Sequence, residues 1–310
     1  MGVVMIIRPR NIRTGDMIGV IAPGSPTTLN NVNIAKKHLE ELGFRVKMGD
    51  SCYSQNGYLA GEDKLRAEDV NNMFSDDNVK GIICLRGGYG TTRILDLINY
   101  QWVKDYPKVF VGYSDITALH IAFNQLCNLV TYHGPMAGVD MLDGMDEFTK
   151  KSFLSCIGTK SNINIGNPPG TAMKCMCSGT AKGKLTGGNL SLLVSTLGTP
   201  YEIDTKGKIL FIEEVGERPY VIDRSLTQLK NAGKLRDAEG IVLGDFKDCI
   251  PLEDEVSQSL KEVFYDIIEP FNKPTIYNLK AGHCIPMVTL PLGSDTYLDA
   301  DKCQLIVDNN

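Results

Sequence analysis

The residues of this chain whose types and spacing could carry chemistry are a serine, two histidines and three acids, and together they suit acyl transfer. The serine stands in Val109-Phe110-Val111-Gly112-Tyr113-Ser114-Asp115-Ile116-Thr117. An apolar β-type run stops at Gly112, the serine follows, and Ile116 to Leu126 reads as a helix. A serine on a sharp strand-to-helix turn points its hydroxyl out of the sheet, beside backbone N–H groups and the positive end of a helix. That is the arrangement a serine nucleophile needs. The match to G-x-S-x-G is incomplete, because Ile116 stands where the second glycine would be. A serine after a strand also serves as a helix N-cap with no chemistry attached.

The four histidines are His38, His120, His133 and His283. His38 lies on a helical stretch and reads as surface. His120 falls about one and a half turns into the helix after Ser114, so it points away from the turn. His133, in Thr131-Tyr132-His133-Gly134-Pro135-Met136, and His283, in Ala281-Gly282-His283-Cys284-Ile285-Pro286, stand in loops bounded by Gly and Pro that could present a base. Cys284 is a poor rival nucleophile, since chain neighbours on an extended segment face opposite ways. The acids come from Ile209-Leu210-Phe211-Ile212-Glu213-Glu214-Val215-Gly216-Glu217-Arg218-Pro219-Tyr220, where an apolar strand ends in carboxylates. Such a carboxylate can orient a histidine and stabilise its imidazolium. Glu213 and Glu214 cannot both reach one imidazole, because successive strand residues alternate. A strand-end acid is held by ladder hydrogen bonds, whereas Glu217 sits in a freer turn. Metal binding by these acids lacks a histidine at ligand spacing.

The Arg86-Gly87-Gly88-Tyr89-Gly90 loop contains neither G-x-G-x-x-G nor P-loop spacing, and it follows the third predicted strand rather than the first. Its glycines let a ligand approach the backbone closely, and such a loop can lend an N–H to an oxyanion hole. The same glycines also suit a plain tight turn.

These groups need a scaffold. Met17 to Ala22, Phe44 to Met48, Gly81 to Leu85 and Val109 to Val111 read as strands. Asn31 to Leu42, closed by Gly43, then Glu62 to Phe74 and Thr92 to Ile98 read as the helices between them. This alternation predicts an α/β fold with a parallel sheet, whose sites form beyond the carboxyl ends of the strands. The Arg86 to Gly90 loop and Ser114 both fall there. Ser161 to Gly179 is rich in Asn, Pro, Gly and Ser and reads as a linker. Beyond it, strands are expected at Gly183 to Leu185, Lys208 to Ile212, Gly240 to Leu243, Thr289 to Leu292 and Gln304 to Val307. Helices are expected at Leu190 to Leu197, Ser225 to Ala232 and Leu260 to Ile268. The expected organisation is an N-terminal α/β domain over 1–150 with the candidate serine, a linker over 151–180, and a smaller mixed domain over 181–310 with the candidate acids.

Composition narrows the function classes. The chain has 310 residues, 43% hydrophobic and 22% charged, with a net charge of −5. That is an ordinary enzyme-like balance, and it argues against nucleic acid or an anionic membrane as partner. No apolar stretch approaches the roughly 20 residues of a membrane span, and the short apolar start lacks a signal peptide's regions. Nine scattered cysteines read as reduced thiols of a cytosolic protein; Cys175 and Cys177 are not at zinc-knuckle spacing.

Ile21-Ala22-Pro23-Gly24-Ser25, Leu85-Arg86-Gly87-Gly88-Tyr89-Gly90, Gly112-Tyr113-Ser114-Asp115, Tyr132-His133-Gly134-Pro135-Met136, Gly187-Gly188-Asn189-Leu190, Glu213 to Tyr220 with Asp223-Arg224, and Gly282-His283 follow one another in a set order. This ordered set resembles the LD-carboxypeptidase family of serine peptidases, which also contains the microcin C immunity-type hydrolases, and the resemblance spans nearly the whole chain. It implies a Ser-Glu-His triad of Ser114, Glu213 and His283, with the acid directly after the apolar strand. The family pattern often has Glu-Asp where this chain has Glu213-Glu214. An oxyanion hole from the N–H groups of Asp115 and Gly88 goes with that reading. The resemblance further implies a flavodoxin-like N-terminal domain, a swivelling β/α C-terminal domain, a homodimer, no metal and no cofactor. The implied activity is cytoplasmic release of C-terminal D-alanine from peptidoglycan-derived tetrapeptides. The alternatives are a microcin C-type amidase acting on aminoacyl-nucleotide conjugates, and a non-catalytic muropeptide-binding protein.

Overall fold

The computed structural model describes residues 6–159 and 161–309. The first half carries strands β1 (Met17–Ile21), β2 (Arg45–Met48), β3 (Val79–Cys84), β4 (Val109–Gly112) and β5 (Thr131–His133). The second carries β6 (Ile163–Ile165), β7 (Lys174–Cys177), β8 (Thr180–Asn189), β9 (Lys208–Val215), β10 (Gly240–Lys247), β11 (Thr275–Tyr277), β12 (Leu290–Leu292), β13 (Asp295–Asp299) and β14 (Gln304–Val307). The helices are α1 (Leu29–Glu41), α2 (Asp63–Ser75), α3 (Tyr100–Asp105), α4 (Thr117–Cys127), α5 (Glu147–Gly158), α6 (Leu190–Ser195), α7 (Pro219–Asn231), α8 (Lys234–Asp237) and α9 (Leu260–Ile267).

The first sheet has the order β12-β5-β4-β3-β1-β2. Its strands β1 to β5 are mutually parallel, and β12 joins β5 antiparallel. Without β12 the order is 2-1-3-4-5, the flavodoxin-like arrangement, whose ligands bind at strand carboxyl ends. β4 is buried throughout, so its apolar run is unbroken, as expected for a parallel strand covered on both faces. α1 starts where the Thr28 hydroxyl accepts the Asn31 N–H at 3.2 Å, and it buries Val32, Ala35 and Leu39 on one face. It stops where Gly43 takes φ +90°, a conformation that suits glycine.

The second sheet has the order β6-β14-β13-β8-β9-β10-β11-β7. β8 to β11 run parallel, and the flanking strands run antiparallel. With eight strands against six, it is the wider of the two sheets.

Three expectations need correction. Residues 151–180 are not a free linker: α5 fills the start, and β6 and β7 pair with β14 and β11 at opposite edges of the second sheet. Short edge strands leave little apolar signal, while the Pro and Gly between them dominate the composition. Thr92 to Ile98 is not one helix but two 3-10 turns, Thr91–Arg93 and Leu95–Leu97. Asp115 pins Thr91 at one end, and Asn71 Nδ2 holds the Leu97 carbonyl at 3.0 Å at the other, which keeps the segment short. Thr289 to Leu292 holds a strand, β12, but it pairs with β5 in the first sheet, so the second half of the chain is shared between the two sheets.

Candidate active site

Ser114 follows β4 with φ +64°. A non-glycine residue in this left-handed region is strained, as at a nucleophile turn. The turn is sharp because Gly112 lacks a side chain: a Cβ there would lie 2.9 Å from the Ile116 side chain. Ile116 thus packs where the second glycine of the motif would leave space. Gly87 closes the turn from β3, since a Cβ there would lie 3.0 Å from Ser114 Cβ and 3.2 Å from both Ser114 Oγ and the Asp115 nitrogen. Gly88, expected at the oxyanion hole, takes φ +91° and turns its Cα toward Ser25, where a Cβ would collide. Its N–H makes no hydrogen bond among the described residues. Gly87, not singled out from the sequence, is the glycine that touches the serine.

The loops after β1 and β3 are tied together. Ser25 N–H donates to the Gly87 carbonyl at 2.9 Å, and Tyr89 N–H donates to Ser25 Oγ at 3.1 Å. Arg66, fully buried on α2, donates to the Pro23 carbonyl and to the Gly90 carbonyl. The Asp115 side chain is structural: buried, it accepts Thr91 N–H at 3.0 Å, while Thr91 Oγ1 donates to the Asp115 carbonyl at 2.5 Å. Burial pushes its carboxyl up.

β9 runs through both acids, and both are buried. Alternation sends them opposite ways. Glu213 Oε2 meets His283 Nδ1 at 2.8 Å. It lies in a slot made by two glycines: a Cβ on Gly282 would sit 2.6 Å from Oε2, and one on Gly244 would sit 3.1 Å from Glu213 Cβ. Glu214 faces α6 instead. It accepts Asn189 Nδ2 at 2.6 Å, Ser191 N–H and Oγ at 2.8 and 2.6 Å, and Val215 N–H at 2.9 Å. A carboxylate at a helix start suits the helix dipole. Glu217 lies in the turn before α7, away from this pairing.

Burial pushes Glu213 up, opposed by the hydrogen bond and charge of His283. Burial of His283 alone would lower it, but Glu213 outweighs that through its hydrogen bond and charge, and Glu214 and Asp140 add to it. The imidazole therefore stands above its ordinary 6.5.

The other histidines separate cleanly. His133 is not in a loop: it ends β5, fully buried, with neither ring nitrogen hydrogen-bonded among the described residues. Its ring packs against Phe211 of β9 at 5.0 Å, and burial holds it well below 6.5. Gly134 and Pro135 punctuate the strand end and made it read as a loop. His120 is buried with Nε2 at 2.8 Å from the Gly112 carbonyl, and burial lowers it to about 4. His38 is half-buried rather than fully at the surface, its Nδ1 on the Met141 carbonyl.

Two contacts join the serine turn to the second sheet. Tyr113, the residue before the serine, packs edge-to-face on His283 with centroids 4.8 Å apart. Thr117, at the start of α4, accepts the Asn189 N–H at 3.0 Å, and a Cβ on Gly188 would collide with it. Sequence reasoning gave Tyr113 and Thr117 no role, although the Gly187-Gly188-Asn189 motif marked the other side of the second contact. Among the described residues no cluster of three or more His, Cys, Asp or Glu is arranged to hold a metal ion, and no helix is long and apolar enough to cross a membrane.

Known proteins resemble this chain along nearly its whole length. A probable murein peptide carboxypeptidase of Bacillus subtilis (strain 168) is 45% identical over 302 residues, covering 96% of this chain and 94% of its own length. The structure of an MccF-like protein from Bacillus anthracis str. Ames superposes with a TM-score of 0.88 at 28% identity, covering 98% of this chain and 100% of that one. A muramoyltetrapeptide carboxypeptidase from Oxalobacter formigenes superposes with a TM-score of 0.82 at 28% identity, covering 94% and 97%. The LD-carboxypeptidase N-terminal domain matches residues 18–134, around the serine turn, and the LD-carboxypeptidase C-terminal domain matches residues 182–298, around the Glu–His pair. The chain belongs to the LD-carboxypeptidase family.

Proposed function

We propose that this protein is a serine-type carboxypeptidase that releases C-terminal D-alanine from peptidoglycan-derived tetrapeptides, with Ser114, Glu213 and His283 as its triad. The observation that carries the reading is the Nδ1–Oε2 bond of 2.8 Å between His283 and Glu213, on a loop packed against the strained serine turn. The nucleophile comes from the domain over 1–150 and the acid and base from the domain over 181–310.

His283 Nε2 takes the Ser114 proton as Oγ attacks the carbonyl before the terminal D-residue. Glu213 keeps the Nδ1–H tautomer and stabilises the imidazolium that forms. The oxyanion is met by the N–H groups of Asp115 and Gly88, donors worth roughly 3–4 kcal/mol each. The tetrahedral species collapses, the C–N bond breaks, and His283 returns the proton to the leaving amine. Water, deprotonated by the same imidazole, then cleaves the acyl-enzyme.

The 45% identity to a probable murein peptide carboxypeptidase favours a muropeptide over an aminoacyl-nucleotide conjugate. We further infer a homodimer acting in the cytoplasm, which analytical ultracentrifugation and cell fractionation test. The deciding experiment is incubation with a murein tetrapeptide. Free D-alanine from the wild type, and none from Ser114→Ala, is the expected outcome. Turnover of an aminoacyl-sulfamoyl nucleotide but not of the tetrapeptide would transfer the reading to the amidase class. Binding without turnover of either, with no covalent label at Ser114, would make it a binder.

A further inference from the structure

One buried polar pair beside the triad has no part in the steps above. Tyr113 is 3% exposed, and its hydroxyl donates to Asp140 Oδ1 at 3.0 Å. Asp140 Oδ2 accepts the Met136 N–H at 2.8 Å, so both carboxylate oxygens are held. The Tyr113 ring meets the His283 imidazole at 71° with centroids 4.8 Å apart, and meets His133 on another side at 5.7 Å. Phenylalanine would pack as well; a tyrosine buried this deeply needs a partner for its hydroxyl, and here the partner is a carboxyl that burial pushes up and the Met136 N–H and the Tyr113 hydroxyl pull back down.

His283 makes one hydrogen bond among the described residues, through Nδ1 to Glu213. A single bond fixes the direction of Nδ1 but leaves the ring free to turn about the bond axis. Catalysis needs Nε2 aimed, not only Nδ1 anchored. We propose that Tyr113 and Asp140 are positioning residues for the acid–base step: the tyrosine ring, locked by Asp140, fixes the plane of the His283 imidazole and ties it to the nucleophile's own turn. The proposal rests on the assignment of Ser114 and His283 given above.

Glu213 from β9, Tyr113 from the turn after β4, His133 from β5, Asp140 from the loop after β5 and the neighbouring Cys284 surround His283, and the charge of Glu214, turned toward α6, reaches it through space. Asp140 is among the charges that raise His283. Removing that charge in Asp140→Asn moves the acid limb of kcat/KM to lower pH, since imidazolium loses support, and lowers kcat roughly tenfold. A merely structural role would lower activity without moving the limb. Asp140→Glu keeps the charge and keeps the limb in place. Tyr113→Phe removes one oxygen and cuts the lock, lowering kcat roughly tenfold with KM unchanged. An unmoved limb in Asp140→Asn, or wild-type kcat in Tyr113→Phe, overturns the proposal; should Asp140→Asn not fold, Tyr113→Phe alone decides it. Ser114→Ala, assayed in parallel, separates the two levels. If it stays active, the triad assignment fails; if it is dead while Tyr113→Phe is normal, only the positioning role fails.

Discussion

The turn that carries Ser114 is shaped by backbone and packing, whereas the Glu213–His283 pair is shaped by side-chain hydrogen bonding between a strand and a loop. At the turn, glycines at 87 and 112 admit neighbours that any Cβ would displace, and the serine itself takes φ +64°. At the pair, a fully buried carboxylate meets an imidazole at 2.8 Å. The first region should be sensitive to added volume and indifferent to charge. The second should respond to loss of charge with little change in shape.

The sharpest break is Ser114→Ala. It removes the proposed nucleophile and leaves the packing, so kcat falls about 10³-fold or more while the melting temperature barely moves. D-alanine release and a thermal melt on the same sample check both halves of that statement. His283→Ala gives a similar loss of kcat, and His133→Ala a clearly smaller one, its effect appearing instead as lost stability from a buried cavity.

Glu213→Gln tests the charge side. The amide is nearly isosteric but favours the wrong imidazole tautomer, so kcat falls about 10²–10⁴-fold. Wild-type turnover in this variant would remove Glu213 from the site. Gly87→Ala tests the volume side. Its methyl would press on Ser114 Oγ and the Asp115 nitrogen from 3.2 Å, lowering kcat roughly 10–100-fold through a crowded oxyanion site. An unchanged kcat would mean the turn yields more than its packing implies.

Glu214→Gln separates the neighbouring carboxylate from the chemistry. It places an amide N–H₂ among donors from Asn189, Ser191 and Val215, which costs about 1–3 kcal/mol of stability. Its kcat stays within about tenfold of wild type. A crippled but stable Glu214→Gln would reverse the assignment of the two acids.

The last effect leaves catalysis untouched and is on stability against pH. His120 titrates at about 4 when folded against an ordinary 6.5. Between those values the unfolded chain holds a proton that the folded chain does not, so stability falls as pH drops through that window. At about 1.4 kcal/mol per pH unit, the loss reaches about 3 kcal/mol by pH 4. His120→Gln should show a shallower fall in melting temperature from pH 7 to 4 than wild type, and equal slopes would assign the acid sensitivity elsewhere.

The serine turn was legible because its signals are local: the apolar run, Gly112 and the helix lie within a few residues of Ser114. The Glu213–His283 pair was less so. Alternation along β9 proved that one acid at most could serve His283, but not which, because the choice depends on Gly244 and Gly282 opening a slot from two other parts of the chain. The family motif supplied that choice, and the pairing of Glu213 with His283 agrees with it. His133 read as a loop histidine because a three-residue strand ended by Gly-Pro has almost no periodicity. The Asp140 contact was invisible, since nothing in residue type predicts that a tyrosine after one strand meets an acid after another.

The crossing of β12 back to the first sheet bears on how the protein is made. Leu290 pairs with His133 and Leu292 with Thr131, so the outer edge of β5 stays open until residues 290–292 have been made. A nascent chain holding the first five strands presents a bare strand edge and an uncovered His133, a template for pairing with other chains. Closing that edge is a contact between distant parts of the sequence and is correspondingly slow. The serine turn can therefore form on a growing chain before His283 and β12 have been made, so the two halves of the proposed site mature at different times.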